Sequence, residues 1–343
     1  MHIRFIYRLS TALVLISLLP PMITSSRTEP QPTQRPDSSA DTHVHYFPFL
    51  TGPNQAPVPT ATVPPTATGT SPAPNPTPSV TRTPIPIPAG MIAADHRAVD
   101  EFDQIPEQWI EAASQISFLF RHASVGSNID DGLDCLENDF DQRPNNCDRD
   151  LTPEEIVYDR IYDRRNWSFE FHAPNDANPG WWEKIRLFID RVDSVGNAYD
   201  VAGFKFGYVD DGGHSLIQEK FFSRNPNDNL PGIEDLEALE ARHPNKIFMY
   251  WTMGLARSPM PGAKDFNEQM RAYAYDNRVV LMDIADILSH RPDGSPCLSG
   301  DIPVLCADYT QEINGGHLNA RGKQRMAKAV WWIMARLAGW SGN

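Results

Sequence analysis

The chain has 343 residues and carries 30 Lys and Arg against 44 Asp and Glu, a formal net charge of −14. No basic tract interrupts this acidity, which argues against nucleic acid or an anionic membrane surface as partner. The length exceeds what one uniform globule needs, and the composition changes twice along it.

Residues 1–26, MHIRFIYRLSTALVLISLLPPMITSS, place two arginines and a histidine before an apolar run from Leu13 to Ile23. Small polar residues follow, the order of a secretory signal peptide. The run is shorter than the roughly 20 residues of a membrane span, so no span is expected in the mature chain. The protein is expected to be secreted or otherwise extracytoplasmic. No cysteine follows the run, which argues against a lipid anchor there. Residues 27–90 hold about half of the 31 prolines, among Thr, Ser and Ala. Such a segment buries too little apolar area to offset its ordering entropy and reads as an extended, Pro/Thr-rich stalk. The island HVHYFPFL (43–50) interrupts it.

Residues 91–343 suit one α/β domain. In chain order, IPEQWIEAASQ (105–115) has helical spacing and ISFLF (116–120) reads as a buried strand. A helix follows Ser124, with apolar residues at Val125, Ile129, Leu133 and Leu136. A strand over 167–171 leads to a helix over 181–192, and a strand over 201–209 to a helix over 233–243. A strand over 246–253 precedes a helix over 265–277. A strand over 279–285 and a long helix over 320–340 close the chain. About five strands alternating with helices predict a mostly parallel sheet covered on both faces. In such sheets sites form beyond the carboxyl ends of the strands, where RHASVGSN, GYVDDGGHS and MDIAD fall. NGGHLN lies just before the last helix.

The four cysteines, Cys135, Cys147, Cys297 and Cys306, allow three pairings. Export favours disulfides, and the local pairs Cys135–Cys147 and Cys297–Cys306 are expected. No CxxC or HxxxH spacing points to a metal, and no cofactor is expected. Asp210, Asp211 and His214 in DDGGHS read as a solvated turn. The acidic stretch 137–150 lacks the spacing of an EF-hand. Lys205, in an apolar strand, is expected to pair with Asp210 or Asp283. In each of the pairs Trp181-Trp182 and Trp331-Trp332, one ring is expected in the core and at most one free to stack on sugar.

Ser124 and His317 are the chemical candidates. A serine hydroxyl is a weak nucleophile until a general base lies within hydrogen-bond reach and donors await the oxyanion. A strand–turn–helix would put Ser124 at a helix N-terminus, where free N–H groups supply such donors. A serine there is equally a preferred helix cap, and His317 equally an ordinary loop histidine. His122, at the strand end, lines the pocket or bonds to backbone.

The blocks HASVGSNI, FKFGYVD, DFNEQMRAYA with LMDIAD, and NGGHLNARG occur in this order. Together they resemble a branch of the SGNH hydrolase superfamily, the GDSL-like esterases, whose serine block reads HxSVGxN. The resemblance spans roughly residues 115–340. It implies a three-layer α/β/α flavodoxin-like sandwich that hydrolyses a small acyl ester, with Ser124 as nucleophile and His317 as base. The superfamily's DxxH block places Asn314 where an aspartate orients the histidine; Glu312, Asp308 and Asp283 are alternative carboxylates. Its third block, GxND, falls on Gly207 to Asp210, with Val209 where an asparagine donates to the oxyanion. Asn128 and the backbone amides of Ser124 and Val125 are the substitute donors. The expected partner is a small-molecule or carbohydrate ester, and the expected state a monomer. The rival expectation is a binding module that keeps the fold and has lost catalysis.

Limited proteolysis should trim the chain to a stable fragment beginning near residues 90–105. A protease-resistant 27–90 segment would contradict the stalk.

Overall fold

The computed structural model describes residues 91–137, 161–211 and 224–342. The signal segment, the stalk with its island, Cys147, His214 and the acidic stretch beyond Glu137 lie outside the described residues.

Six strands form one all-parallel sheet: β1 (Ala93–Ala94), β2 (Phe118–His122), β3 (Trp167–Phe171), β4 (Val201–Phe204), β5 (Ile247–Trp251) and β6 (Val280–Met282). Their spatial order is β1-β6-β5-β4-β2-β3. From β2 onward this is the doubly wound order of flavodoxin-like folds, with the direction of winding reversing beside β2. The helices are α1 (His96–Asp100), α2 (Glu107–Gln115), α3 (Val125–Glu137), α4 (Trp181–Val195), α5 (Ile233–Arg242), α6 (Pro261–Asn277), α7 (Ile284–Ser289) and α8 (Ala320–Leu337). Between Leu298 and Pro303, β7 (Leu298–Ser299) and β8 (Ile302–Pro303) make a separate antiparallel pair.

The three-layer α/β/α sandwich follows from the period-2 alternation of the strands. On one face Phe118 meets Trp167, which packs on Trp331 of α8 with ring centroids 4.4 Å apart. On the other face Phe204 meets Phe188 of α4 at 4.7 Å, and Tyr250 meets Tyr273 of α6 at 5.5 Å. Phe118, Leu119 and Phe120 are fully buried, as a strand covered on both faces requires.

The sixth strand, β1, is an edge pairing of two residues, Ala93 and Ala94, with Leu281 and Met282. Two alanines carry no strand signal, so about five strands were legible and not six. The expected strand over 201–209 ends at Phe204, and a short 3₁₀ turn runs over Tyr208–Asp211. The expected strand over 279–285 breaks at Asp283, whose carboxylate accepts from the Asp286 N–H and caps α7. The helix expected from 265 begins at Pro261, whose missing N–H is harmless at a first helical position. Trp331 and Trp332 are both buried, and the Trp332 Nε1 donates to Glu101, so neither is free to stack on a ligand. Trp182 is partly exposed beneath the Arg186 guanidinium.

Cys297 and Cys306 are disulfide-bonded, with Cα atoms 5.4 Å apart, and enclose the β7–β8 pair. Cys135 is also disulfide-bonded. Among the described residues no helix is long and apolar enough to cross a membrane.

Helices α3 and α8 lie side by side. A Cβ on Gly132 of α3 would come within 2.2 Å of the Lys323 backbone oxygen of α8, so only glycine permits this approach. Lys323 also reaches Asp131 at 2.7 Å. Gly132→Ala should therefore destabilise the domain by about 1–3 kcal/mol through overpacking. Denaturant unfolding measures this, and an unchanged midpoint would contradict the close approach.

Candidate active site

The chain turns from β2 into α3 at Ser124, whose φ of 54° lies in the left-handed region. That conformation costs a non-glycine residue about 1–3 kcal/mol. The turn is tight. A Cβ on Gly126 would sit 2.3 Å from the His122 Cβ, which explains the small residue two positions after the serine. The Ser124 hydroxyl does not take the usual capping geometry, in which the residue is extended and its side chain bonds to its own helix. Its Oγ lies 2.8 Å from His317 Nε2.

The loop ahead of α8 carries the histidine. The His317 N–H donates to Glu312 Oε2 at 3.0 Å, and its ring Nδ1 lies 2.8 Å from Glu312 Oε1. The Thr310 hydroxyl donates to the His317 carbonyl at 2.6 Å and accepts the Glu312 N–H. Tyr208 stands edge-on to the imidazole, with its Oη 3.3 Å from Nδ1. The two glycines of NGGH make room for these partners. A Cβ on Gly315 would meet Glu312 Oε2 at 1.9 Å, and one on Gly316 would meet the Tyr208 ring at 2.4 Å. Partial burial raises the Glu312 pKa, but hydrogen bonds from the His317 N–H and ring outweigh it and hold the carboxyl below its ordinary value.

One bond ties the two blocks together. Asn128 Oδ1 accepts the Leu318 N–H at 2.9 Å. The side-chain oxygen of Asn128 is thus a brace between α3 and the histidine loop. The N–H groups of Ser124 and Val125 stand at the N-terminus of α3, where the first amides have no intrahelical acceptor.

The carboxylate on the histidine is Glu312 and not the position expected from DxxH. Asn314 instead faces Ser258, 3.5 Å from its hydroxyl, and its carbonyl accepts the Ser258 N–H. Asp283 is bound by Arg271 and Thr252, and Asp308 faces Arg291. Gly207 and Asp210 do not point donors at the serine. The Gly207 N–H donates to Asp210 Oδ2 at 2.6 Å, and the buried Asp210 pairs with Lys184 at 2.5 Å. Val209 is exposed and offers no side-chain donor. Lys184 escaped the sequence reading because it occupies an amphipathic helix that resembles any surface helix. Of the three alternative carboxylates, Glu312 is the one that the glycine loop folds back onto the ring.

No protein-family model and no curated protein matches the chain. Among solved structures, a Bacteroides fragilis protein called a "putative acylhydrolase" is similar at 12% identity and a TM-score of 0.35, covering 71% of this chain and 96% of its own. A likeness that low carries no argument about what this chain does.

Behind the serine lies a group of buried bases. His122 and His172 are each 1% exposed, and neither ring has a hydrogen-bond partner among the described residues. His122 packs on Phe171 at 4.7 Å rather than lining an open pocket or bonding to backbone. Lys205 is 2% exposed, and its Nζ likewise has no partner, because Asp210 is taken by Lys184 and Asp283 by Arg271. Burial, aided by the Lys184 charge, lowers the Lys205 pKa to about 7. Burial is also the main cause of the low histidine values, about 3 for His122 and about 2 for His172.

Both rings therefore stay neutral in the folded protein, whereas in the unfolded chain they take up protons below about pH 6.5. The unfolded state binds more protons there, so stability falls as the pH drops from 6.5 toward the folded values. Between pH 6.5 and 5 the unfolding free energy should decline, and His122→Gln should make the decline shallower. Stability that stays flat over this range would contradict neutral buried histidines.

Proposed function

We propose that the chain is a serine esterase of the SGNH type, with Ser124 as nucleophile, His317 as general base and Glu312 as the carboxylate that orients and charges the histidine. The supporting observation is one continuous line of contacts. Ser124 Oγ lies 2.8 Å from His317 Nε2, and Glu312 Oε1 lies 2.8 Å from Nδ1 of the same ring.

Oγ attacks the ester carbonyl carbon as its proton passes to Nε2. The carboxylate of Glu312 holds the Nδ1 proton and stabilises the imidazolium, which an asparagine cannot do by charge. The developing oxyanion is received by the N–H groups of Ser124 and Val125 at the positive end of α3. The imidazolium then protonates the leaving alcohol, and water, deprotonated by His317, releases the acyl group from Ser124. The substrate class is a small acyl ester. Carbohydrate esters rank first, because we read residues 1–26 as an export signal and 27–90 as a stalk outside the cell. The serine block HASVGSN and the block NGGHLN support the superfamily placement.

One observation favours a second reading, a binding module without turnover. The third block contributes no side-chain donor, since Val209 replaces the asparagine and Asp210 occupies the Gly207 N–H. Loss of one such donor costs about 100- to 1000-fold in rate.

Turnover of p-nitrophenyl acetate separates the two. Ser124→Ala should reduce it to background with little change in melting temperature. Glu312→Gln should lower kcat by about 10²- to 10⁴-fold, whereas Asn314→Ala should leave it nearly unchanged. If Asn314→Ala proves as damaging as Glu312→Gln, the assignment of the carboxylate fails. If the wild-type protein turns over no ester, the binding module takes its place.

A further inference from the structure

Of the buried bases behind the serine, Lys205 stands where a charge would act on the reaction. Phe204 and Phe206, on either side of it, face α4 and α6, with ring centroids 4.7 Å from Phe188 and 5.5 Å from Phe266. Successive side chains of a strand alternate, so Lys205 leaves the sheet by the opposite face, the one covered by α3 and α8. The register of β2 with β4 runs to Arg121 opposite Phe204, and one step further sets Lys205 beside His122. His122 lies beneath Gly126, in the first turn of α3. After burial, the Lys205 charge is the main cause of the low His122 value. Lys205 therefore lies under the end of α3 that Ser124 opens.

Among the described residues no acid pairs with this charge. Neither Asp210 nor Asp211, both buried in the turn after β4, bonds to Lys205. Asp210 acts on it from a distance, but Lys184 of α4 is bound to that carboxylate and cancels it. On β2, Arg121 is bound to Glu170, and between the covering helices Lys323 is bound to Asp131. His122 and His172 are neutral. An unpaired buried ammonium costs stability, and a developing negative charge beside it is what offsets that cost.

We infer that the Lys205 ammonium is the electrostatic counterpart of the oxyanion, a charge beneath the N-terminus of α3 that supplies what the third block lacks. The inference rests on the esterase reading of Ser124. Val209 offers no side-chain donor and Asp210 occupies the Gly207 N–H, so the amides of Ser124 and Val125 face the oxyanion without a side chain's help. A fixed positive charge on the dry side of those amides stabilises the oxyanion more than the neutral ester, and only such a difference speeds the step. Lys205 touches neither substrate nor reacting atoms. It acts through its field and transfers no proton. Burial first, and then the Lys184 charge, lower its pKa to about 7 against the pull of Asp210. Below that pH the ammonium is present; above it the amine is neutral and the field is lost.

The pH profile of kcat/KM for p-nitrophenyl acetate, from about pH 5.5 to 9, tests this in the full chain and in Lys205→Met, a substitution of similar volume. Wild-type activity should fall about 10- to 100-fold as the pH rises through about 7. Lys205→Met should show no such fall and should hold the wild type's alkaline level at about pH 6. Its melting temperature at that pH should rise, because a buried unpaired charge is gone. A merely structural lysine would leave the shape of the profile unchanged on removal. The wild-type profile carries the test if the variant does not fold. Wild-type activity that stays level from about pH 7 to 9, or a Lys205→Met variant as active as the wild type at about pH 6, would overturn the proposal and leave the esterase standing. A wild type that turns over no ester at any pH removes the esterase and this proposal together.

Discussion

The close approach of α3 to α8 is the constraint on which the arrangement of the site depends. Gly132 lets the two backbones touch at Lys323, and Asn128 binds the Leu318 N–H one turn earlier. The two contacts run in the same order along both segments, so the helices are parallel and both N-termini reach the carboxyl edge of the sheet. Ser124 immediately precedes one helix, and His317 stands three residues ahead of the other. Packing energy from a buried helix pair thus sets a distance between two polar side chains nearly two hundred residues apart in sequence. The edge they reach is the point beside β2 where the winding reverses, the usual place for a crevice in such sheets.

Two local distortions complete the geometry. Ser124 takes a left-handed backbone conformation that its neighbours enforce, with His122 packed beneath Gly126. The histidine loop folds back on itself because Gly315 and Gly316 have no Cβ to collide with Glu312 and Tyr208. Glycine here serves close approach, not rotation. The same logic accounts for the tight spacing of the serine block, where a larger residue at 126 would displace His122.

Alternation of apolar strands with amphipathic helices made the layered parallel sheet legible, because buried strands and half-buried helices have different periods. The serine and histidine were legible as a pair of small-residue turns at the right places in that alternation, and they lie together. What stayed hidden depended on contacts that no period encodes. β1 is two alanines whose only strand property is a partner. A spacing rule pointed to Asn314, and the choice among Glu312, Asp308 and Asp283 stayed open because Glu312 reaches His317 only through a folded loop. The Lys184–Asp210 pair joins a helix to a turn after β4, and Lys184 looks like a surface residue until the fold covers it. Lys205, expected to hold that aspartate or Asp283, is left buried without a hydrogen-bond partner among the described residues. One ring of the Trp331-Trp332 pair was left open as free because the partner of Trp332, Glu101, is 231 positions away.

The most direct test of the central claim is chemical labelling of the nucleophile. A fluorophosphonate added to the folded protein, followed by proteolysis and peptide mapping, reports which hydroxyl is activated by a neighbouring base. The account predicts one adduct, on Ser124, that disappears when His317 is replaced by Ala. A folded protein that takes no label, or takes it on another serine, would contradict it.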